Sequence, residues 1–192
     1  FRIDDFLPII KKVRIKFPSL WLSVNFLAET GKIAFPILSD LSSQGYYIDG
    51  YWGDDACIDE NGMNIEAKKI SKIRNDYGWK GLYFGGTAFK KQRIIPQEKY
   101  EDAARYATQF MDVVTTSGIA TGIEADISKI KTFRSSIGDG VLAIASGITV
   151  DNAKMYSIAD CFMVATGINY DDNFYEIDHK KLSKMLLICR QI

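Results

Sequence analysis

Short segments rich in β-forming and apolar residues alternate along the chain with longer segments of helical character. There are six such segments: Trp21–Leu27, Tyr46–Trp52, Leu82–Phe89, Val113–Ser117, Val141–Ser146 and Cys161–Ala165. The run from Val141 to Ala145 is apolar at every position, which is typical of strands buried on both faces of a parallel sheet. This alternation predicts a parallel α/β architecture.

The intervening segments carry apolar residues at helical spacing. One set would share a face of a helix that begins after Pro96, and a second set would share a face of a helix capped by Asp126. These sets are Tyr100, Ala103, Ala104, Ala107 and Phe110, and then Ile127, Ile130, Phe133 and Ile137. Further helices are expected over Asp5–Lys16, over Asn64–Tyr77 and around Leu182, Met185, Leu186 and Cys189.

The predicted fold is a (β/α)8 TIM barrel, with residues 1–192 as a single, partial domain. A complete barrel has eight strands in about 250 residues. Six strands and a leading helix fit a barrel that lacks its first strand, first helix and second strand. Because unpaired sheet edges invite aggregation, we expect residues upstream of Phe1, or another chain, to fill that gap. The alternative is an open, doubly wound sheet.

Charge and cysteine content argue against several classes of protein. Lys plus Arg and Asp plus Glu both number 24, and no basic stripe is present, which predicts neither a nucleic acid nor a membrane partner. The three cysteines are far apart and His179 is the single histidine, so neither a disulfide framework nor a structural zinc site is expected. We therefore expect a cytoplasmic protein without a cofactor, and a homo-oligomer is compatible with this pattern.

Glycine and hydroxyl residues follow each of the last three predicted strands. They are Gly118, Thr121 and Gly122, then Ser146, Gly147 and Thr149, and then Thr166 and Gly167. Glycine lets the backbone approach an anion closely, and the N–H groups of such loops can bind phosphate oxygens. Barrel enzymes frequently bind phosphate between the loops after strands 7 and 8, which predicts a phosphate clamp here. Alternatively the loops are plain turns, with Thr149 and Asn152 capping a helix.

The segment from Asp112 to Ile192 resembles the BtpA family. The resemblance rests on Val-Val-Thr-Thr-Ser-Gly-x-x-Thr-Gly, Ser-Gly-Ile-Thr-x-x-Asn and Phe-x-Val-Ala-Thr-x-Ile, and more weakly on Leu22–Asn25 and Asp59–Gly62. It implies a phosphate-binding barrel of eight strands. One branch of the family is linked to photosystem I biogenesis, and most members have no established reaction. Family members often have a histidine after the fifth strand, where this chain has Phe89-Lys90-Lys91.

A second, partial resemblance is to the phosphoribosyltransferase signature. It covers Met111–Gly118, in which Asp112 precedes a hydrophobic pair and a Thr-Ser-Gly loop follows. That signature has two acids for the ribose hydroxyls and a Thr-Gly-Gly loop for the 5′-phosphate. Here Met111 replaces the first acid and Ser117 the first glycine of the loop, which disfavours this activity.

Reacting side chains of a barrel project from the carboxyl ends of its strands. This rule selects Asn25, Glu29, Asp49, Asp54, Asp55, Lys90, Lys91 and Glu124, and we favour Asp49, Lys90 and Asn25 as catalytic. Burial among aromatic residues would raise the pKa of Asp49 and suit it to proton transfer, unless it is a strand-end acid or is paired with a lysine. Lys90 could bind phosphate or form a Schiff base, unless it lies in solvent.

Two further groups of residues have weaker functional interpretations. Asp54, Asp55, Asp59 and Glu60 could bind a divalent cation, although a solvated loop explains them as well. His179 is expected near the start of the last helix rather than in a catalytic site.

Three functions follow from these patterns. The first is an enzyme acting on a small phosphorylated metabolite, such as a sugar or nucleotide phosphate. The second is a non-catalytic assembly or regulatory factor of the BtpA type. The third is a phosphoribosyltransferase with a degraded signature at residues 111–118.

Overall fold

The computed structural model describes residues 3–90 and 92–192, so Phe1, Arg2 and the candidate Lys91 lie outside the described residues. The elements in chain order are α1 (Ile3–Lys16), β1 (Ser23–Val24), α2 (Gly31–Ser43), β2 (Gly50–Gly53), α3 (Ile65–Tyr77), β3 (Leu82–Gly86), α4 (Tyr100–Ala107), β4 (Val113–Ser117), α5 (Ile127–Ser136), β5 (Val141–Ala145), β6 (Cys161–Met163), β7 (Asn169–Tyr170), β8 (Asn173–Ile177) and α6 (His179–Cys189). Short 3₁₀-helices cover Gln97–Lys99, Ala153–Tyr156 and Thr166–Ile168. Each of the six predicted β segments therefore overlaps a strand.

The first six strands form one sheet in the order β1-β2-β3-β4-β5-β6, and every neighbouring pair is parallel. Right-handed crossovers that always advance in one direction place all helices on the same face of a sheet. A doubly wound sheet instead reverses its strand order at a switch point. The sheet is therefore a curled half-barrel, and residues beside β1 and residues of β6 line one cavity on its concave side. The assignment of its strands to positions three to eight of a barrel stays a prediction.

Side chains alternate between the two faces of the sheet, as the twofold period of a strand requires. The convex face packs against the helices and contains Tyr51, Tyr83, Val114, Leu142 and Ile144, all of them buried. The concave face carries a second apolar cluster formed by Trp52, Phe84, Val113, Ala143, Cys161 and Met163. Because both faces are apolar, the strands have near-continuous apolar sequences.

Helix ends follow local chemistry, and two of them confirm sequence expectations. The carboxylate of Asp126 accepts a hydrogen bond from Ser128 N at 2.7 Å, which confirms the predicted cap of α5. Helix α3 ends at Gly78, whose φ of +67° is left-handed and suits glycine. Two features had no sequence signal that we recognised. They are the antiparallel hairpin of β7 and β8, and the 3₁₀ turn that replaces a full helix between β5 and β6.

The amino-terminal edge of the sheet is held by three repeated ion pairs, here called the Arg–Asp clamps. Each joins an arginine near the end of a helix to the aspartate that immediately precedes a strand. The pairs are Arg14–Asp49 at 2.6 Å, Arg74–Asp112 at 2.6 Å and Arg134–Asp160 at 2.8 Å. The three arginines are spaced 60 residues apart in the sequence.

Each Arg–Asp clamp also ties two neighbouring strands together. The same carboxylate oxygen accepts a backbone N–H from the preceding strand or the residue just before it: Leu22 N to Asp49 at 2.9 Å, Tyr83 N to Asp112 at 2.7 Å and Leu142 N to Asp160 at 2.8 Å. In each clamp the arginine also donates to backbone carbonyls. A charged pair with these additional bonds fixes the register of one helix and two strands.

In the described part of the chain, no helix has both the length and the apolar character that crossing a membrane requires.

Candidate functional site

A cavity of about 350 Å³ opens on the concave side of the sheet and is here called the concave cavity. One part of its wall is apolar and includes Trp52, Phe84 and Met163. The other part is formed by loops at the carboxyl edge of β4, β5 and β6. Cys161 also lines it, and burial raises the pKa of that thiol, which keeps it protonated and weakly nucleophilic.

Six residues predicted for the site from the sequence line this concave cavity together. They are Lys90, Thr121, Gly122, Ser146, Gly147 and Thr166. They come from four separate loops, and only the curl of the sheet makes them neighbours. Three other phosphate-site candidates, Gly118, Thr149 and Gly167, are not among its lining residues.

The glycines have a packing role that differs from the predicted one. A Cβ on Gly147 would lie 2.2 Å from the backbone of Glu124, and a Cβ on Gly167 would lie 1.9 Å from Ile148 O. A Cβ on Gly118 would lie 2.3 Å from Ile123 O. These glycines therefore let the three carboxyl-edge loops pack against one another, which accounts for them before any anion is considered.

Thr149 belongs to a capping turn rather than to the cavity wall. Its backbone N–H donates to Asn152 Oδ1 at 2.8 Å, and its hydroxyl accepts from Asp151 N at 3.3 Å. Asn152 Nδ2 donates to Gly147 O at 2.8 Å and to Glu124 Oε2 at 2.9 Å. The N–H and the hydroxyl oxygen of Thr149 thus form hydrogen bonds within this turn, just before the 3₁₀-helix of Ala153–Tyr156.

Several hydrogen-bond donors remain at the cavity wall. Within the part of the chain that the structure describes, the N–H groups of the lining residues Gly147 and Thr166 make no hydrogen bond. Thr121 and Thr166, which each carry a hydroxyl, line the same cavity. Ser146 is less available because its hydroxyl donates to Ile123 O at 3.2 Å and accepts from Gly118 N at 3.3 Å.

Lys90 supplies the positive charge of the cavity lining. Its backbone N–H donates to Ser117 Oγ at 2.8 Å, which joins the loops after β3 and β4. Its Nζ lies 5.6 Å from the ring centroid of Phe89. The backbone of Lys90 is therefore fixed at the carboxyl edge of the sheet.

The other two candidate catalytic residues lie elsewhere. Asn25 follows β1 at the carboxyl edge, and its amide donates to Trp52 O at 2.9 Å and to Asp54 Oδ1 at 3.1 Å. The expectation that Asp49 lies at the carboxyl end of its strand is wrong, because it precedes β2 and is bound in an Arg–Asp clamp at the opposite edge. Asp49 is a partly exposed acid just before its strand, and its partner is Arg14 rather than the lysine of the alternative interpretation.

The acidic candidates have separate partners and do not converge. Asp55 accepts from Cys57 N at 2.7 Å, Asp59 accepts from Asn61 N at 3.0 Å, and Glu60 pairs with Arg93. Among the described residues, no group of three or more histidine, cysteine or acidic side chains is arranged to hold a metal ion. Glu29 uses its carbonyl to accept from Tyr51, and His179 is the first residue of α6, as expected.

A second cavity, of about 620 Å³, lies at the same edge and is here called the rim cavity. Gly118, Glu124 and Lys129 are among its lining residues, and it shares none of them with the concave cavity. Lys129 is 9% exposed, and burial lowers its pKa to about 8. Our sequence reasoning did not select this lysine. The spacing of Lys129 could have indicated its burial, because it lies next to Ile130 and four residues before Phe133, on the buried side of α5.

Comparison with known proteins supports the fold and no more. No family model matches the chain, and no curated protein matches it. A solved structure of a protein from Aquifex aeolicus VF5 is 16% identical, with a TM-score of 0.55 over 98% of this chain and 67% of that one. A phosphoribosyl anthranilate isomerase from Thermus thermophilus is 9% identical, with a TM-score of 0.43 over 99% of this chain and 94% of that one. A thiamine phosphate pyrophosphorylase from Pyrococcus furiosus is 12% identical, with a TM-score of 0.41 over 90% of this chain and 96% of that one. At these identities the chain is similar in fold to the Aquifex aeolicus protein, and the two weaker similarities carry no argument about function.

Proposed function

We propose that this chain is a BtpA-like phosphate-binding barrel protein that acts as an enzyme on a small phosphorylated metabolite, such as a sugar or nucleotide phosphate. One observation carries the proposal. Lys90 and the small-residue loops at 121–122, 146–147 and 166 line one cavity at the carboxyl edge of the sheet. Barrel enzymes place their substrates at that edge.

The donor set of the concave cavity suits a phosphate group. The backbone N–H groups of Gly147 and Thr166 have no acceptor in the described chain, and the hydroxyls of Thr121 and Thr166 add neutral donors. Lys90 adds a positive charge, so that a dianion would be both hydrogen-bonded and partly neutralised. In this proposal Gly118, Gly147 and Gly167 position the loops, and Thr149 is excluded from the phosphate site.

The apolar remainder of the concave cavity would hold the rest of the ligand. Trp52, Phe84 and Met163 exclude water from this wall, which strengthens electrostatic contacts nearby. Lys90 then contacts the phosphate end of the ligand, and Asn25 orients groups at the same edge through Trp52 and Asp54.

Two observations disfavour the other functions. In a phosphoribosyltransferase the signature acid contacts ribose near the phosphate loop, whereas Asp112 is bound to Arg74 at the opposite edge of the sheet. A purely structural assembly factor needs no open cavity, whereas the concave cavity holds about 350 Å³ of space. The enzyme is therefore the better-supported proposal.

The proposal is tested by thermal unfolding in the presence of inorganic phosphate, ribose 5-phosphate and a nucleoside monophosphate. Binding at 100 times the Kd stabilises the native state by about 2.7 kcal/mol. For a chain of this size the melting temperature would rise by about 5–11 °C. Thr166→Val removes a hydroxyl at constant size, and Lys90→Gln removes the charge, so both should reduce this shift.

Thr149→Val is the matched control, because it removes a similar hydroxyl outside the concave cavity. It should leave the phosphate-induced shift unchanged. An equal loss of the shift in Thr149→Val and Thr166→Val would contradict the assignment, as would the absence of stabilisation by every phosphate compound.

A further inference from the structure

Lys129 is a buried lysine without an acidic partner. Its Nζ donates to two backbone carbonyls, Ala88 O at 2.6 Å and Ser117 O at 2.8 Å, and it lies 5.2 Å from the ring centroid of Tyr100. Among the described residues, no carboxylate forms an ion pair with it. Buried lysines normally have such a partner, so the arrangement calls for an explanation.

The two carbonyls match the hydrogen-bonding capacity of a neutral amine. A neutral amine has two N–H groups and one lone pair, whereas an ammonium has a third N–H that must also be satisfied. With both N–H groups directed at Ala88 O and Ser117 O, the lone pair is left for another group. Burial alone, with no opposing charge, lowers the pKa of Lys129 to about 8, which makes the neutral form accessible near neutral pH.

The rim cavity is bordered by Lys129. Its volume of about 620 Å³ lies within the range of small-molecule pockets, and Lys129 forms part of its wall. The ionisable groups that face the same space are Tyr100 from α4, Tyr156 from the turn after β5, and Glu124 and Asp126 from the loop before α5. The two carboxylates are already hydrogen-bonded, to Asn152 and to Ser128 N.

We propose that Lys129 is a nucleophilic amine of a second ligand site, in which the rim cavity binds a small aldehyde or ketone that forms an imine with Nζ. The Nζ lone pair attacks the carbonyl carbon, and the C–N bond forms as the carbonyl π electrons move to oxygen. One proton moves from nitrogen to that oxygen to give the carbinolamine, whose C–O bond then breaks as the nitrogen lone pair forms the C=N bond. The second proton from nitrogen joins the departing hydroxide, so that one molecule of water leaves. No oxidant or reductant is needed.

This site is separate from the phosphate site, since the two cavities share no lining residue. The competing role for Lys129 is purely structural, as a tie between the loops after β3 and β4. That role requires only the two hydrogen bonds to carbonyls. It does not require the amine to react in the folded protein.

The test is reductive alkylation of the folded wild-type protein with propanal and cyanoborohydride, followed by mass mapping of each lysine over time. Lowering an amine pKa from 10.5 to about 8 raises its neutral fraction at pH 7 by about 300-fold. Because hindered access and lower nucleophilicity offset part of this gain, we expect Lys129 to react at least about tenfold faster than exposed Lys154. The rate at Lys129 should level off above about pH 8.

A second measurement separates the two roles without any variant. In urea the selectivity for Lys129 over Lys154 should disappear, because the burial that produces it is lost. The proposal is overturned if Lys129 reacts no faster than Lys154 in the folded protein, if its rate rises only above pH 10, or if it is alkylated only after unfolding.

Discussion

Asp49 gives the sharpest test of how the sheet is held together. Arg14 is 10% exposed at its side chain and donates to Asp49 as well as to the carbonyls of Tyr47, Pro18 and Leu20. Asp49→Ala would leave that guanidinium buried among carbonyls without a counter-charge. Breaking a fully buried pair in this way costs about 3–5 kcal/mol.

The expected cost at Asp49 is smaller, because its side chain is 26% exposed and water can partly replace it. We expect Asp49→Ala to lower the free energy of unfolding by about 2–3 kcal/mol. For a chain of this length the melting temperature should fall by about 4–12 °C. The assay is urea denaturation followed by circular dichroism, with the m-value checked for a two-state transition.

The other two Arg–Asp clamps provide an internal ranking. The acids become more exposed in the order Asp49, Asp112 and Asp160, at 26%, 36% and 49% of the side chain. The cost of substitution by alanine should fall in the same order, to about 1 kcal/mol at Asp160. Asp49→Asn is the control, because it keeps an acceptor for Leu22 N while removing the charge. Equal losses at all three positions, or a reversed order, would refute the reasoning from burial.

Three further predictions concern the carboxyl-edge loops and Lys129. Gly147→Ala should destabilise the fold by about 2–4 kcal/mol in the same denaturation assay, because the added Cβ would overlap the backbone of Glu124 and the φ is +69°. Gly122→Ala is the control: its φ is +79° but the space around it is open, so it should cost about 1 kcal/mol. Asn152→Ala should cost about 1–3 kcal/mol by the loss of its three hydrogen bonds, and a change below 0.5 kcal/mol would count against the capping turn. The pKa of Lys129 is about 8 in the folded chain and 10.5 in the unfolded chain, so the folded state loses its proton first as the pH rises. The free energy of unfolding of the wild type, relative to that of Lys129→Met, should therefore rise between pH 8 and 10.5 by at most about 3 kcal/mol. A flat difference between the two proteins across that range of pH would argue against a neutral buried amine.

The strands and most helices could be predicted from local pattern, because burial on both faces leaves a continuous apolar run and burial on one face leaves a helical period. The strand from Val141 to Ala145 and the cap at Asp126 are examples. The hairpin of β7 and β8 could not be predicted in this way, since its strands are short and mostly exposed. Its pairing depends on a turn and not on an apolar pattern.

The sequence by itself determined the α/β class, the positions of the strands along the chain and the residue types of the loops after them, because each of these depends on residues close together in the chain. Only the tertiary structure decided which edge of the sheet each residue occupies. It placed Asp49 in an Arg–Asp clamp at the amino-terminal edge, and it brought Lys129 to the carbonyls of Ala88 and Ser117. It also showed that Gly147 accommodates the backbone of Glu124. These contacts join residues 12 to 41 positions apart, and such contacts arise from the curl of the sheet and the packing of helices on it.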